Sequence, residues 1–204
     1  MKFYNSVGPN PRMVRMFMAE KAFKVPVVEV DLRGGENRRE PYLKITPAGQ
    51  CPALELDDGS VLTEITAICE YIDEIAKGTP SLIGATPEER AKTRMWNRRI
   101  DLNIVEPGAA GFRYAEGLKM FQSRMHCIPH AAGDLKAIAR AKLEWLDGLM
   151  GAKPYIAGDK LTMADIFLFA FLDFFAAVGQ PLDPARTNLA AWFQRMKARP
   201  SAAA

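Results

Sequence analysis

Histidine and cysteine are scarce in this chain, with two and three residues among 204. His126 and His130 flank Pro129, which favours a loop or helix start, and no acidic or Cys set surrounds them at a zinc spacing; no metal site is expected. Cys51, Cys69 and Cys127 form no CxxC pair and are odd in number, which argues against a disulfide framework and for reduced thiols in a reducing compartment. A strong charge of one sign is also missing. The 27 Lys plus Arg against 24 Asp plus Glu leave +3, so nucleic-acid binding is not expected. No apolar run reaches membrane-spanning length, and the amino terminus lacks the basic region, apolar run and cleavage site of a secretory signal. These absences lead to the expectation of a soluble cytoplasmic protein with no membrane partner. The length suits one large domain or two small ones, each able to bury a core.

The most informative stretch runs from Ile45 to Ile72. Thr46 to Gln50 is a polar turn containing Pro47 and Gly49, Pro52 to Leu56 alternates as a short strand, and Asp57, Asp58 and Gly59 make a hairpin turn before Val61 and Leu62. A helix follows with Thr63 or Glu64 near its cap and Ile65, Ile68, Cys69 and Ile72 on one face. Pro52 removes a backbone donor at the strand start, which suggests an edge or a special turn; a cis Cys51–Pro52 bond would satisfy it.

Before this stretch, Lys2 to Asn5 reads as a strand and Pro11 to Phe23 as a helix, with Asn10 as N-cap and Pro11 at the first helical position. Pro26 to Leu32 reads as a second strand, and the strand, helix, strand order predicts a parallel pair. The charged segment Glu36 to Lys44 is expected to be a mobile surface helix or loop. The run Lys77 to Pro87, rich in glycine and proline, marks a linker. The expected domains are therefore 1–77 and 88–204, joined by 78–87. Helices are expected over Glu88 to Lys119, Pro129 to Met150, Thr162 to Val178 and Asn188 to Arg199, the first interrupted at Pro107, Gly108 and Gly111. Thr162 and Asp165 resemble a capping box, opening a helix apolar nearly all round that should form the buried centre of the second domain. Ser201 to Ala204 is expected to fray.

Pro52-Ala-Leu, the hairpin, Leu62-Thr63-Glu64 and the helix with Glu70-Tyr71-Ile72 resemble the glutathione-binding half of a glutathione transferase. Leu161-Thr162-Met163-Ala164-Asp165 is similar to that family's second signature, at the expected distance downstream. The resemblance covers nearly the whole chain. It implies a thioredoxin-like α/β domain followed by a helical bundle domain, glutathione as co-substrate, a homodimer, and a detoxification reaction with a hydrophobic electrophile. A glutathione-dependent disulfide reductase, or a non-catalytic binding or regulatory protein on the same fold, are the alternatives.

The resemblance also assigns residues. Cys51, preceding Pro52, would offer its N–H and C=O to the cysteinyl backbone of glutathione as an added strand. Glu64 would meet the free amine; without the resemblance it reads as a first-turn acid complementing the helix dipole. The γ-glutamyl carboxylate would sit on the amides opening the Ile65 helix. Ile65 stands where the family usually has Ser, and losing a hydrogen bond to a charged group weakens affinity by about one to two orders of magnitude; Thr66 could compensate. Asn37 and Gln50 fall at the glycine-carboxylate end, with Arg38 or Arg39 nearby, although these arginines also read as a solvated charge run. The amino-terminal turn has no Tyr or Cys, and Pro9-Asn10 resembles bacterial members with an asparagine-type site, where Asn10 and the first helical turn would hold the thiolate. Asn10 serves equally as an N-cap, and Ser6 is the fallback. Cys51 reads as a small packed residue or a partner in thiol exchange. Asn103, Pro107 and Phe112 would line an acceptor pocket, with Phe112 otherwise ordinary core.

Overall fold

Lys2–Asn5 forms strand β1 where the pattern predicts it. The computed structural model describes every residue from Met1 to Ala204, in two compact units: Met1–Ile83 with Arg199–Ala204, and Gly84–Ala198. In the first unit, helix α1 spans Pro9–Glu20, β2 spans Val27–Glu29, and a single helical turn, α2, covers Tyr42–Ile45. Strands β3 (Ala53–Glu55) and β4 (Val61–Leu62) make the hairpin, and α3 covers Ile65–Ile75. The sheet order is β2-β1-β3-β4, with β1 and β2 parallel, as expected, and the other pairs antiparallel.

Alternation along β1 divides the core of this unit. Tyr4 opposes Ala53 and packs with Val30 and Tyr42; Phe3 opposes Leu54, and both are fully buried on the opposite face. Ile68, Cys69 and Ile72 of α3 are buried, while Ile65 is half-buried. The segment expected to be mobile is anchored: a 3-10 turn over Glu36–Arg38 precedes α2, and Asn37 and Tyr42 are buried. The tail differs from expectation too. Pro200–Ala203 forms a 3-10 turn held along α1, with Arg199 and Ser201 donating to the Glu20 carboxylate and Arg12 donating to the Ala202 carbonyl.

The second unit is wholly helical: α4 (Pro87–Ile100), α5 (Glu106–Arg113), α6 (Leu118–Phe121), α7 (Ala132–Met150), α8 (Met163–Ala177) and α9 (Thr187–Lys197). The expected break near Pro107 takes a specific form. Between α4 and α5 the backbone widens into a π-helical turn over Asp101–Val105, with the Glu106 N–H reaching back to the Asp101 carbonyl. Thr162 and Asp165 do form a capping box, and α8 is buried along most of its length. Asp165, fully buried, also accepts from the Ile156 N–H and the Trp192 indole, both at 2.9 Å, so the cap ties α9 to the start of α8. No helix is long and apolar enough to cross a membrane.

Candidate functional site

The strand registers converge at one end of the sheet. Tyr4 opposes Ala53 and Leu54 opposes Leu62, so the end of β1, the start of β3 and the end of β4 meet at one edge, where Ser6, Pro52 and Glu64 follow or precede their strands. On the other side of β1, Asn5 is level with Glu29, and the Ser6 hydroxyl donates to the Val30 carbonyl at 2.7 Å. The starts of α1 and α3 leave from this same end. A depression of about 360 Å³ beside it is lined by residues including Ser6, Val7, Val30, Asp31, Arg33 and Glu36.

Helix α1 begins two residues earlier than expected. Gly8, at φ 109°, is the N-cap, no side chain caps the helix, and Asn10 lies inside its first turn. The shift follows from having two prolines: each tolerates an initial helical position, and Gly8 supplies the positive φ that lets the chain enter at Pro9. Its consequence is chemical. Pro9 and Pro11 carry no N–H and the Arg12 N–H is bonded to the Gly8 carbonyl at 3.3 Å, so the free backbone donors here belong to Gly8 and Asn10. The half-buried Asn10 side chain has no hydrogen-bond partner, whereas Ser6 is buried with its proton committed to Val30.

Glu64 is the N-cap of α3 and has φ 64°, ψ 115°. A non-glycine residue at positive φ costs on the order of 1–3 kcal/mol and persists where its surroundings over-determine it. Its side chain is exposed, no side chain caps the helix, and the first turn contains no acid. The opening amides of α3 therefore remain unpartnered at the positive end of the helix dipole, beside the half-buried Ile65 and Thr66. No residue type in the sequence signals this φ, since glycine and asparagine are the usual occupants.

The Cys51–Pro52 peptide is cis. Cys51 lies outside the hydrogen-bonded strand, and its backbone groups are not used by the sheet. Its thiol meets the Tyr42 hydroxyl at 3.1 Å. Burial pushes the thiol pKa up, against the Tyr42 hydrogen bond and with the Glu36 charge, which favours packing over thiol exchange. Gln50 is exposed, with its carbonyl accepting from Tyr42 at 2.9 Å. Asn37 is buried; its amide donates to the Gly49 carbonyl and its Oδ1 has no partner. Gly49 is required at this approach, because a Cβ would lie 2.8 Å from the Asn37 carbonyl oxygen at φ 60°. Arg38 is exposed, while Arg39 donates to the Gly34 carbonyl at 3.2 Å.

The remaining three residues belong to the helical unit. Asn103 is in the π-helical turn with its amide bonded to the Arg99 carbonyl at 2.9 Å, and Pro107 is buried in α5. The Phe112 ring packs edge-on against Phe174 and Phe121, at centroid distances of 5.1 and 6.1 Å. Missed from the sequence were Arg15 and Asn5, joined behind Ser6: Arg15 donates to Asn5 Oδ1 at 2.7 Å and to the Ser6 carbonyl at 3.2 Å. The signal for Arg15 is a lone cation within a run of apolar residues, Met13, Val14, Met16 and Phe17, all of them buried.

A thioredoxin-like unit with a four-stranded mixed sheet, followed by an all-helical unit, defines the fold class. Residues 7–75 match the glutathione S-transferase N-terminal domain and residues 113–195 the corresponding C-terminal domain. The chain is 36% identical over 201 residues to glutathione S-transferase 2 of Saccharomyces cerevisiae, covering 95% of this chain and 84% of that protein. A crystal structure of a glutathione S-transferase domain-containing protein from Marinobacter aquaeolei superposes with a TM-score of 0.92 at 35% identity, covering 98% of this chain and 99% of that one. A glutathione transferase homologue from Sulfitobacter, with bound glutathione, superposes with a TM-score of 0.80 at 25% identity over 99% of this chain and 94% of that one. This chain belongs to the glutathione S-transferase family.

Proposed function

We propose that the protein is a glutathione transferase that binds glutathione as its thiolate and places the sulfur against a hydrophobic electrophile. The observation carrying this reading is Glu64 held at positive φ, with an exposed side chain, above the unpartnered opening amides of α3. In this reading Cys51 pairs its backbone with the cysteinyl residue, the α3 amides and Thr66 hold the γ-glutamyl carboxylate beside Ile65, and Glu64 accepts from the free amine. Gln50 and Arg38 face the glycine carboxylate, while Asn37 holds the Gly49–Gln50 turn through its amide. The sulfur sits near Gly8 and Asn10, where two N–H groups and the Asn10 amide stabilise negative charge without a general base; Ser6 lies alongside. Rate comes from effective concentration and from a larger thiolate fraction. Asn103, Pro107 and Phe112 are the proposed acceptor-side residues, and the functional particle is a cytoplasmic homodimer.

Titration calorimetry with reduced glutathione and an S-alkylated glutathione tests the reading, followed by turnover with an aryl halide and with a disulfide. Binding in the micromolar to low millimolar range with aryl-halide turnover is expected. Turnover confined to the disulfide would replace conjugation by reduction, and no heat with either ligand would leave a non-catalytic member of the family.

A further inference from the structure

Three linked side chains lie behind the β1–α1 turn and have no part in the reading above. Asn5, 7% exposed, donates to Glu29 Oε1 at 2.7 Å and accepts from Arg15 Nη1 at 2.7 Å, while the same Arg15 nitrogen donates to the Ser6 carbonyl at 3.2 Å. The end of β1 is thus clasped from both sides, by Arg15 on one and by the Ser6 hydroxyl on Val30 on the other. We propose that Arg15 is a positioning residue for thiolate formation: it fixes the Asn5–Ser6 end of β1 so that the N–H donors of the turn, at Gly8 and Asn10, hold their orientation toward the sulfur. This inference rests on the glutathione reading. It follows from the donor count, because two prolines leave the turn little redundancy.

The charges around the turn give Arg15 a second contribution. Arg12 and Arg15 approach from α1, Glu29 from the end of β2, and Asp31, Arg33 and Glu36 from the segment after it; Tyr42 and Cys51 nearby are kept neutral by burial. Arg12 is committed to the Ala202 carbonyl at the tail. Three carboxylates close to the turn disfavour a thiolate, and the half-buried Arg15 guanidinium offsets them where solvent screens least. Burial, with the neighbouring Arg12 charge, pulls its pKa below the ordinary value against the opposing pull of the Glu29 carboxylate, and an arginine lowered in this way stays charged.

The test is a pH titration of the thiolate ultraviolet absorbance of bound glutathione, beside calorimetry with S-methylglutathione, which carries no ionisable sulfur. In Arg15→Gln the S-methylglutathione Kd is expected to stay within about threefold, while the bound thiol pKa rises by about one unit, a tenfold loss of thiolate below that pKa. Arg15→Lys keeps the charge and loses the two-point clasp, and should recover part of the shift. If Arg15→Gln fails to fold by circular dichroism, Asn5→Ser shortens the bridge and should raise the thiol pKa in the same direction. An unmoved pKa in the folded variants, or equal loss of both ligands, overturns the inference alone. No binding of either ligand by the unaltered chain overturns the glutathione reading and this inference with it.

Discussion

Glu64 couples backbone strain to the proposed chemistry in a single residue. Glycine adopts φ 64° without steric cost, so Glu64→Gly should stabilise the fold by about 1 kcal/mol in urea denaturation. The same change removes the acceptor for the glutathione amine and should weaken binding about tenfold or more, read by calorimetry. Stability and affinity moving in opposite directions would identify the strain as retained for function; affinity unchanged would sink the amine assignment. Ile65→Ser next door should instead tighten glutathione binding by about ten- to a hundredfold, through one hydrogen bond to a charged carboxylate. At this scale the sequence displayed the residue types of the site but not their conformations. Pro52, Glu64 and Gln50 could be named from motif order, whereas the Glu64 φ and the burial of Asn37 within a charged run depend on tertiary packing. The Arg15–Asn5–Glu29 chain was equally hidden, since it joins a strand, a helix and a second strand through side chains far apart in sequence.

Element boundaries show what local chemistry can and cannot specify. The capping box at Thr162 was legible because both partners lie within four residues, while the indole of Trp192 that completes the Asp165 carboxylate arrives from 27 residues away. At the other end of α1, Ala22 takes φ 48° and the Phe23 N–H returns to the Met18 carbonyl at 2.9 Å, a helix stop normally built with glycine. Ala22→Gly should therefore raise stability by about 0.5–1 kcal/mol, measured as a shift of the urea midpoint at unchanged m-value. The tail that composition marked for fraying is held instead by charge-assisted bonds to α1. Burial alone would raise the Glu20 carboxyl, but the hydrogen bonds from Arg199 and Ser201 and the Arg199 charge outweigh it, leaving the pKa below its ordinary value of 4.5. An acid with a depressed folded pKa gives stability that is present above the ordinary value and lost as pH falls through the folded one. The protection of the Arg199–Ala204 amides, as exchange rates divided into their intrinsic values, should accordingly be constant from neutral pH down to about 5 and fall below that; Glu20→Gln should show the lower protection already at neutral pH.

For the whole molecule, the central question is what covers the apolar side of the helical unit. Ile138, Trp145 and Leu149, 49%, 41% and 43% exposed, follow one another along α7 at helical spacing. Trp145 stands 6.4 Å from Trp96 of α4. Lys142 and Arg99 lie over the two indoles at 5.7 and 5.1 Å, a border of cations around an aromatic centre. Scattered apolar residues on a surface need no explanation, but a contiguous aromatic patch within a polar rim has the composition of an interface core. A second copy of the chain is the occupant consistent with the proposed homodimer, and a stable dimer needs about 800 Å² per partner, more than these side chains alone supply. Their placement at the centre would make them the dominant contacts, since binding energy concentrates on buried tryptophans. Sedimentation should find a particle of twice the 22.6 kDa chain mass. Trp145→Lys should convert it to monomer at micromolar concentration with helical circular dichroism retained, because a further cation buried beside Lys142 and Arg99 without a counter-charge costs several kcal/mol. A variant that remains dimeric would move the interface elsewhere on the chain and leave the patch open.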